Sequence, residues 1–198
     1  MSQEGFSGRR ERTGDLSGSN LMNARAPAAE TVGLPSLIAS IAVLLRSGGV
    51  ITAGDVAALR RMDPRYPEAA FFKLEGLVLD AHLPGAADAR AELETRWAAI
   101  VTGLAHLRTL HESGMRLGDV LADAQYSELR FARLVRADAD RLADELPTLA
   151  RFLAAKGTPV DWTGAAQLIL SAGGPNDEPV RRHLARDYYG SLARKESR

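Results

Sequence analysis

The chain has 198 residues, of which 45% are hydrophobic, 25% charged and 6% aromatic, a mix that excludes a wholly disordered or fibrous polypeptide. Twenty-five basic residues balance twenty-five acidic ones, so bulk charge selects no partner and only the placement of charge can. There is no cysteine, which excludes disulfides, thiol nucleophiles and cysteine-held metals and fits a reducing, cytoplasmic setting.

No apolar run has the length of a membrane span, and the polar, mixed-charge N-terminus does not read as a signal peptide, so no membrane partner is expected. Arginine outnumbers lysine twenty-two to three, a bias that a GC-rich genome produces without functional cause.

Residues 1–32 are rich in Gly, Ser, Asn and Arg, the composition of a flexible arm; four basic and four acidic residues keep it neutral. From Pro35 onward nearly every segment reads as helix. Leu37, Ile38, Ile41, Leu44 and Leu45 form an apolar stripe at helical spacing, ended by Gly48-Gly49. Thr52 with Asp55 has the capping-box pattern for a helix that runs to Met62 and stops at Asp63-Pro64. Pro67 suits the first turn of the next, which continues through Phe71, Phe72, Leu74, Leu77 and Val78. After Pro84-Gly85, a long helix from about Ala87 to His111 turns Leu93, Trp97, Ile100, Val101, Leu104 and Leu107 inward, and Gly114 closes it.

A short helix follows at Gly118–Ala124, and Ser127 opens another that reaches about Ala137. Asp138–Leu146 either continues it or forms a separate turn, and Pro147 begins a helix that ends at Lys156-Gly157. Asp161 caps a helix to Ala172, and Asp177 and Pro179 open the last one, ending near Ala193. No segment alternates long enough to read as a strand, and no repeat has a fixed period. The expected fold is all-α, with eight or nine helices in two small packed bundles, 33–115 and 116–198.

Catalytic patterns are missing. His106 and His111 are five apart and point to different sides of one helix, and no His-Glu-x-x-His pair exists. There is no glycine-rich phosphate loop. The acidic pairs Glu92/Glu94, Asp119/Asp123, Asp138/Asp140 and Asp144/Glu145 read as solvated surface, although Asp119 and Asp123 share a helix face. The sequence therefore predicts no enzyme, no metal and no cofactor.

Three basic groups remain. Arg60 and Arg61, with Arg65 just after, close one helix; Arg61 lies opposite the face of Val56, Leu59 and Met62 and Arg60 borders it, and cations there also complement the helix dipole. Arg130, Arg133 and Arg136 recur every third residue, spanning an arc of roughly 120° opposite Phe131, Leu134 and Val135. Their rise of about 4.5 Å per step suits the tracking of a phosphate backbone; a solvated face with an Arg136–Asp140 pair is the plainer reading. Arg181, Arg182 and Arg186 lie on the last helix beside Tyr188-Tyr189, which read as core or as stacking aromatics. Arg151 and Lys156 complete the set.

Gly54-Asp55-Val56-Ala57-Ala58-Leu59-Arg60-Arg61-Met62, then Tyr126-Ser127-Glu128-Leu129-Arg130-Phe131-Ala132-Arg133-Leu134, Val160-Asp161-Trp162, and Arg181-Arg182 with Arg186-Asp187-Tyr188-Tyr189 follow in this order. Together they resemble the small subunit of the type I-E CRISPR surveillance complex Cascade, the CasB family, over about Leu34 to Leu192. The resemblance implies two helical bundles and no catalytic activity. It implies a dimer within the complex beside the backbone and large subunits, with basic residues on CRISPR RNA and target DNA that help to hold an R-loop. Carried over by position, Arg60, Arg61, Arg136, Arg151, Arg181 and Arg182 match basic positions of the family. One departure is the group Asp138, Asp140, Asp144 and Glu145, set against Arg141, which neutralises the arginine row if it folds back on it. An all-α protein–protein adaptor and a helix-turn-helix DNA-binding regulator, with Ser127–Ala137 as its reading helix, stand as alternatives.

Overall fold

In a computed structural model, residues 33–197 are described; the expected N-terminal arm lies outside them. Among the described residues there are nine α-helices and no strand: α1 (Leu34–Ser47), α2 (Ala53–Arg61), α3 (Ala69–Leu74), α4 (Ala87–His106), α5 (Leu117–Asp123), α6 (Glu128–Arg136), α7 (Ala139–Lys156), α8 (Thr163–Ser171) and α9 (Asp177–Glu196). No helix among them is long and apolar enough to cross a membrane.

The local signals act as the sequence predicts at several ends. Thr52 Oγ1 accepts from the Asp55 amide at 3.2 Å, and Asp55 Oδ2 accepts from the Thr52 amide at 2.8 Å, closing the capping box of α2. Gly48 and Gly157 end α1 and α7 at φ 66° and 63°, a backbone region that side chains with a Cβ avoid.

The long helix expected to reach His111 ends at His106, so the two histidines do not share it, and two further expectations need correction. Pro147 does not begin a helix; it lies buried inside one continuous helix, α7, whose start is set by Asp138 accepting from the Arg141 amide at 2.9 Å. The second concerns α3, which passes into a π-helical turn at Glu75–Leu79 and a 3-10 turn at Asp80–His82. The wider turn rotates the inward stripe, so Phe72 and Leu77 face solvent while Glu75 is buried. Arg90 offsets that buried carboxylate, donating to Glu75, to Asp80 at 2.6 Å and to Glu94 at 2.8 Å.

The predicted boundary near residue 115 falls between α4 and α5. α4 packs along α7 and against α8, α5 lies along α9, and side chains from all nine helices enter the core. The two halves are clasped at residues 110–115 and 160–163. Val160 donates to Leu110 O at 2.8 Å, Glu112 donates to Val160 O at 3.0 Å, and Asp161 donates to Met115 O at 2.9 Å. The Asp161 carboxylate accepts from the amides of Gly114 at 2.9 Å and Thr163 at 3.0 Å. The Trp162 amide donates to His111 Nδ1 at 3.2 Å, and its indole Nε1 donates to Ile100 O at 3.1 Å.

This clasp yields two predictions. A Cβ on Gly103 would stand 2.3 Å from the fully buried Trp162 ring. Gly103→Ala therefore costs about 1–3 kcal/mol by overpacking, against a helix-propensity gain of about 1 kcal/mol. Gly190→Ala, whose nearest outside atom is the flexible end of Arg194 at 3.5 Å, serves as the control that keeps or gains stability. Urea unfolding of both variants distinguishes the two.

The second prediction concerns His111. Burial, aided by the Arg46 charge, holds it below its ordinary value despite nearby Asp161. The unfolded chain then protonates first as pH drops below about 6.5. The stability tied to neutral His111 is present above that pH and is lost as pH falls towards the depressed folded value. The midpoint of urea unfolding falls between neutral pH and this window, and less so in His111→Gln, whose side-chain oxygen can still accept from Trp162.

Candidate nucleic-acid interface

α7 is the axis of the basic face. Its solvent side carries Asp140, Asp144 and Glu145 in the first half and Arg151 and Lys156 in the second. The turn after α2 flanks one side: Arg65 donates through both Nη atoms to Asp144, at 2.5 and 2.8 Å, and to Asp140 O at 3.2 Å. α6 is joined to α7 by side-chain contacts. There Arg133 donates to Glu145 at 3.0 Å, and the Tyr126 ring meets Phe152 edge-on at 5.2 Å.

The acids that follow the arginine row do fold back, but selectively. Glu145 takes Arg133, Asp144 takes Arg65 and Asp138 caps α7. No Arg136–Asp140 pair forms. Arg130 has no ion pair among the described residues. Arg136 lacks one too, yet it lines a cleft with Glu92, Asp138, Asp140, Asp177 and Glu178, a setting that competes with phosphate.

Arg60 and Arg151, predicted from separate segments, come together around the end of α4. Arg60 Nε donates to Ala105 O at 2.7 Å, and His106 Nε2 lies 3.1 Å from Arg60 O. Arg151 donates to Thr148 Oγ1 at 3.0 Å and reaches the same histidine with its charge. Burial first, then the Arg151 and Arg60 charges, push the His106 pKa down. Neither arginine forms an ion pair among the described residues. Arg61, next to Arg60, is exposed and forms no ion pair among the described residues, and Lys156 sits 5.5 Å over the Phe152 ring.

The α9 group does not join this cluster as a unit. Arg181 is largely buried and donates to Asp177 and to Val135 O, tying α9 to the end of α6. Arg182 pairs with Glu178 at 2.6 Å. Arg186 is exposed and unpaired among the described residues. Tyr188 is core, stacked on Phe131 at 3.8 Å with its hydroxyl donating to Tyr126 O at 2.5 Å. Asp119 and Asp123, the same-face acids, pair with Arg194 and Lys195, both at 2.9 Å. Among the described residues no three metal-binding side chains converge.

The sequence sets Arg65 just after Arg60-Arg61 without making it a site residue, and it misses His106 as a neighbour of this face. Arg65 and His106 join it only through contacts with residues far along the chain, which helical periodicity cannot reveal. Arg141 stands in the sequence only as the lone base among the acids behind the arginine row.

A family model described as CRISPR-associated protein Cse2 matches residues 55–189. No curated protein and no solved structure matches the chain.

Proposed function

Because the chain belongs to the Cse2 (CasB) family of type I-E Cascade small subunits, we propose that the face made by α2, α7 and α6 holds nucleic-acid backbone and thereby stabilises the R-loop. Family membership makes the chain a structural subunit of a CRISPR defence complex. The observation that carries the finer reading is the meeting of Arg60 and Arg151 around His106, neither of them ion-paired among the described residues, with the exposed Arg61 next to Arg60. A zero net charge gives no reason for cations from two separate helices to meet at one place.

The mechanism is electrostatic. Pairing a guide with its target while displacing the other strand is close to energetically balanced, so modest backbone contacts tip the exchange. Each guanidinium set against a phosphate releases counterions, and its planar fork can engage two oxygens at once. The role requires no catalytic group. The reading takes the guide–target duplex and the displaced strand as ligands, the backbone and large subunits of Cascade as neighbours, and a second copy of this chain as a partner within the complex. Arg60, Arg61, Arg130, Arg151 and Lys156 are its principal contacts. Arg133 contributes once Glu145 releases it, and Arg181 serves the fold.

Two variants test the reading in opposite directions. In a reconstituted complex, Arg61→Glu, Arg130→Glu and Arg151→Glu together weaken R-loop formation. In single-strand binding by the purified chain they lower the log–log salt slope by about 0.7 for each phosphate no longer neutralised. All three side chains are exposed, so helicity by circular dichroism is unchanged. Glu145→Gln frees Arg133 and tightens binding by up to about fivefold, the scale of one exposed ion pair. Unchanged target affinity in the triple variant overturns the assignment.

A further inference from the structure

The two most exposed large hydrophobic side chains among the described residues both stand on elements of this face. Tyr66 is 75% exposed and Leu129 76%, with the next, Val50, at 58%. Leu129 lies at the head of α6, and at 100° per residue it falls between Arg136 and Arg133 on the arginine arc. Tyr66 closes the turn that follows α2, its amide donating to Asp63 O at 2.9 Å. The residue before it, Arg65, is fastened to α7 through both oxygens of Asp144.

The Tyr66 backbone is therefore anchored while its ring is left in solvent. An anchored aromatic side chain with two rotatable bonds loses little entropy when a ligand covers it. Core packing does not account for the ring, and no aromatic neighbour among the described residues holds it, in contrast to Tyr189, which stands edge-on to both Phe131 and Tyr188.

A solvent-facing ring in the turn that runs from the helix of Arg61 to the Arg65–Asp144 anchor on α7 matches a ligand that offers flat faces as well as phosphates. Duplex nucleic acid buries its base faces in its own stack and shows this surface only phosphate and groove. A single strand shows both, and base–aromatic stacking on protein rings works with every base. We infer that Tyr66 is a base-stacking residue for single-stranded nucleic acid whose phosphates lie against Arg61, Arg151 and Arg130. The inference rests on the basic-face reading above and adds to it a contact that carries no charge and engages the base faces of the strand.

The test compares an oligothymidine strand with an abasic strand of equal length and phosphate count, bound by the full chain at low salt. The native chain prefers oligothymidine by about five- to a hundredfold, the scale of one stacked base. Tyr66→Ala removes that preference while leaving the abasic affinity and the salt slope in place. Tyr66→Trp keeps it and adds indole emission that the thymine strand quenches. Tyr66 lies in solvent, so neither substitution endangers the fold. A native chain without preference, or Tyr66→Ala with the full preference, overturns the stacking role while the arginine reading stands. Failure of the native chain to bind either strand overturns both.

Discussion

The seating of Trp162 against Gly103 is the constraint on which the rest of the molecule depends. The indole fills the space that a side chain at 103 would take, and its N–H finds Ile100 O rather than being stranded in the core. Truncating a buried tryptophan costs about 3–5 kcal/mol, a large share of the stability of any domain this size. Around the ring, the hydrogen bonds of Leu110, Glu112, Met115, Val160 and Asp161 bind the chain after α4 to the chain after α7. Both helices therefore end at the same place. Arg60 is fixed to the last turn of α4 through Ala105 O, and Arg151 sits on the last turns of α7. The basic cluster is thus a consequence of how the core is locked.

Charge balance hides this arrangement. Acids and bases are equal in number, yet they are spent differently. Asp119, Asp123, Asp144, Glu145, Asp177 and Glu178 each hold a basic side chain. Several of these pairs join separate helices and so act as struts. Exposed pairs of this kind stabilise by at most about 1 kcal/mol each, so their larger effect is positional. They fix Arg65 and Arg133 against α7 and leave Arg61, Arg130 and Arg151 open.

Helices announce themselves through short-range patterns, and most of this fold was legible for that reason. The Thr52–Asp55 box, the Gly48 and Gly157 ends and the inward stripe of α4 are decided within a few residues, where sequence and structure share one scale. The failures occur where tertiary packing overrides a local rule. Pro147 breaks an isolated helix, but surrounded by the buried Leu146 and Leu149 it is carried inside α7. At the π turn, Arg90, fifteen residues later in the chain, holds the buried Glu75 carboxylate, a contact that no local pattern announces. The arginines were legible as residues and not as a surface. Arg181 has the same sequence context as Arg182, and only the approach of Val135 O shows that it belongs to the fold.

A face built in this way suits a subunit whose binding is meant to count only in company. Single ion pairs in water are weak, and salt screens them beyond about 8–10 Å. A handful of open arginines, with neighbours partly neutralised, gives the lone chain a shallow hold on a polyanion. When other subunits bring the strand to the surface, the entropy of association has already been met, and each remaining contact adds to a nearly balanced exchange. Under those conditions about 1.4 kcal/mol shifts the open and closed populations tenfold. On the proposed reading, the partial neutralisation of the arginine row, which looked in the sequence like an argument against nucleic-acid binding, makes the lone chain's hold shallow and leaves assembly to deepen it.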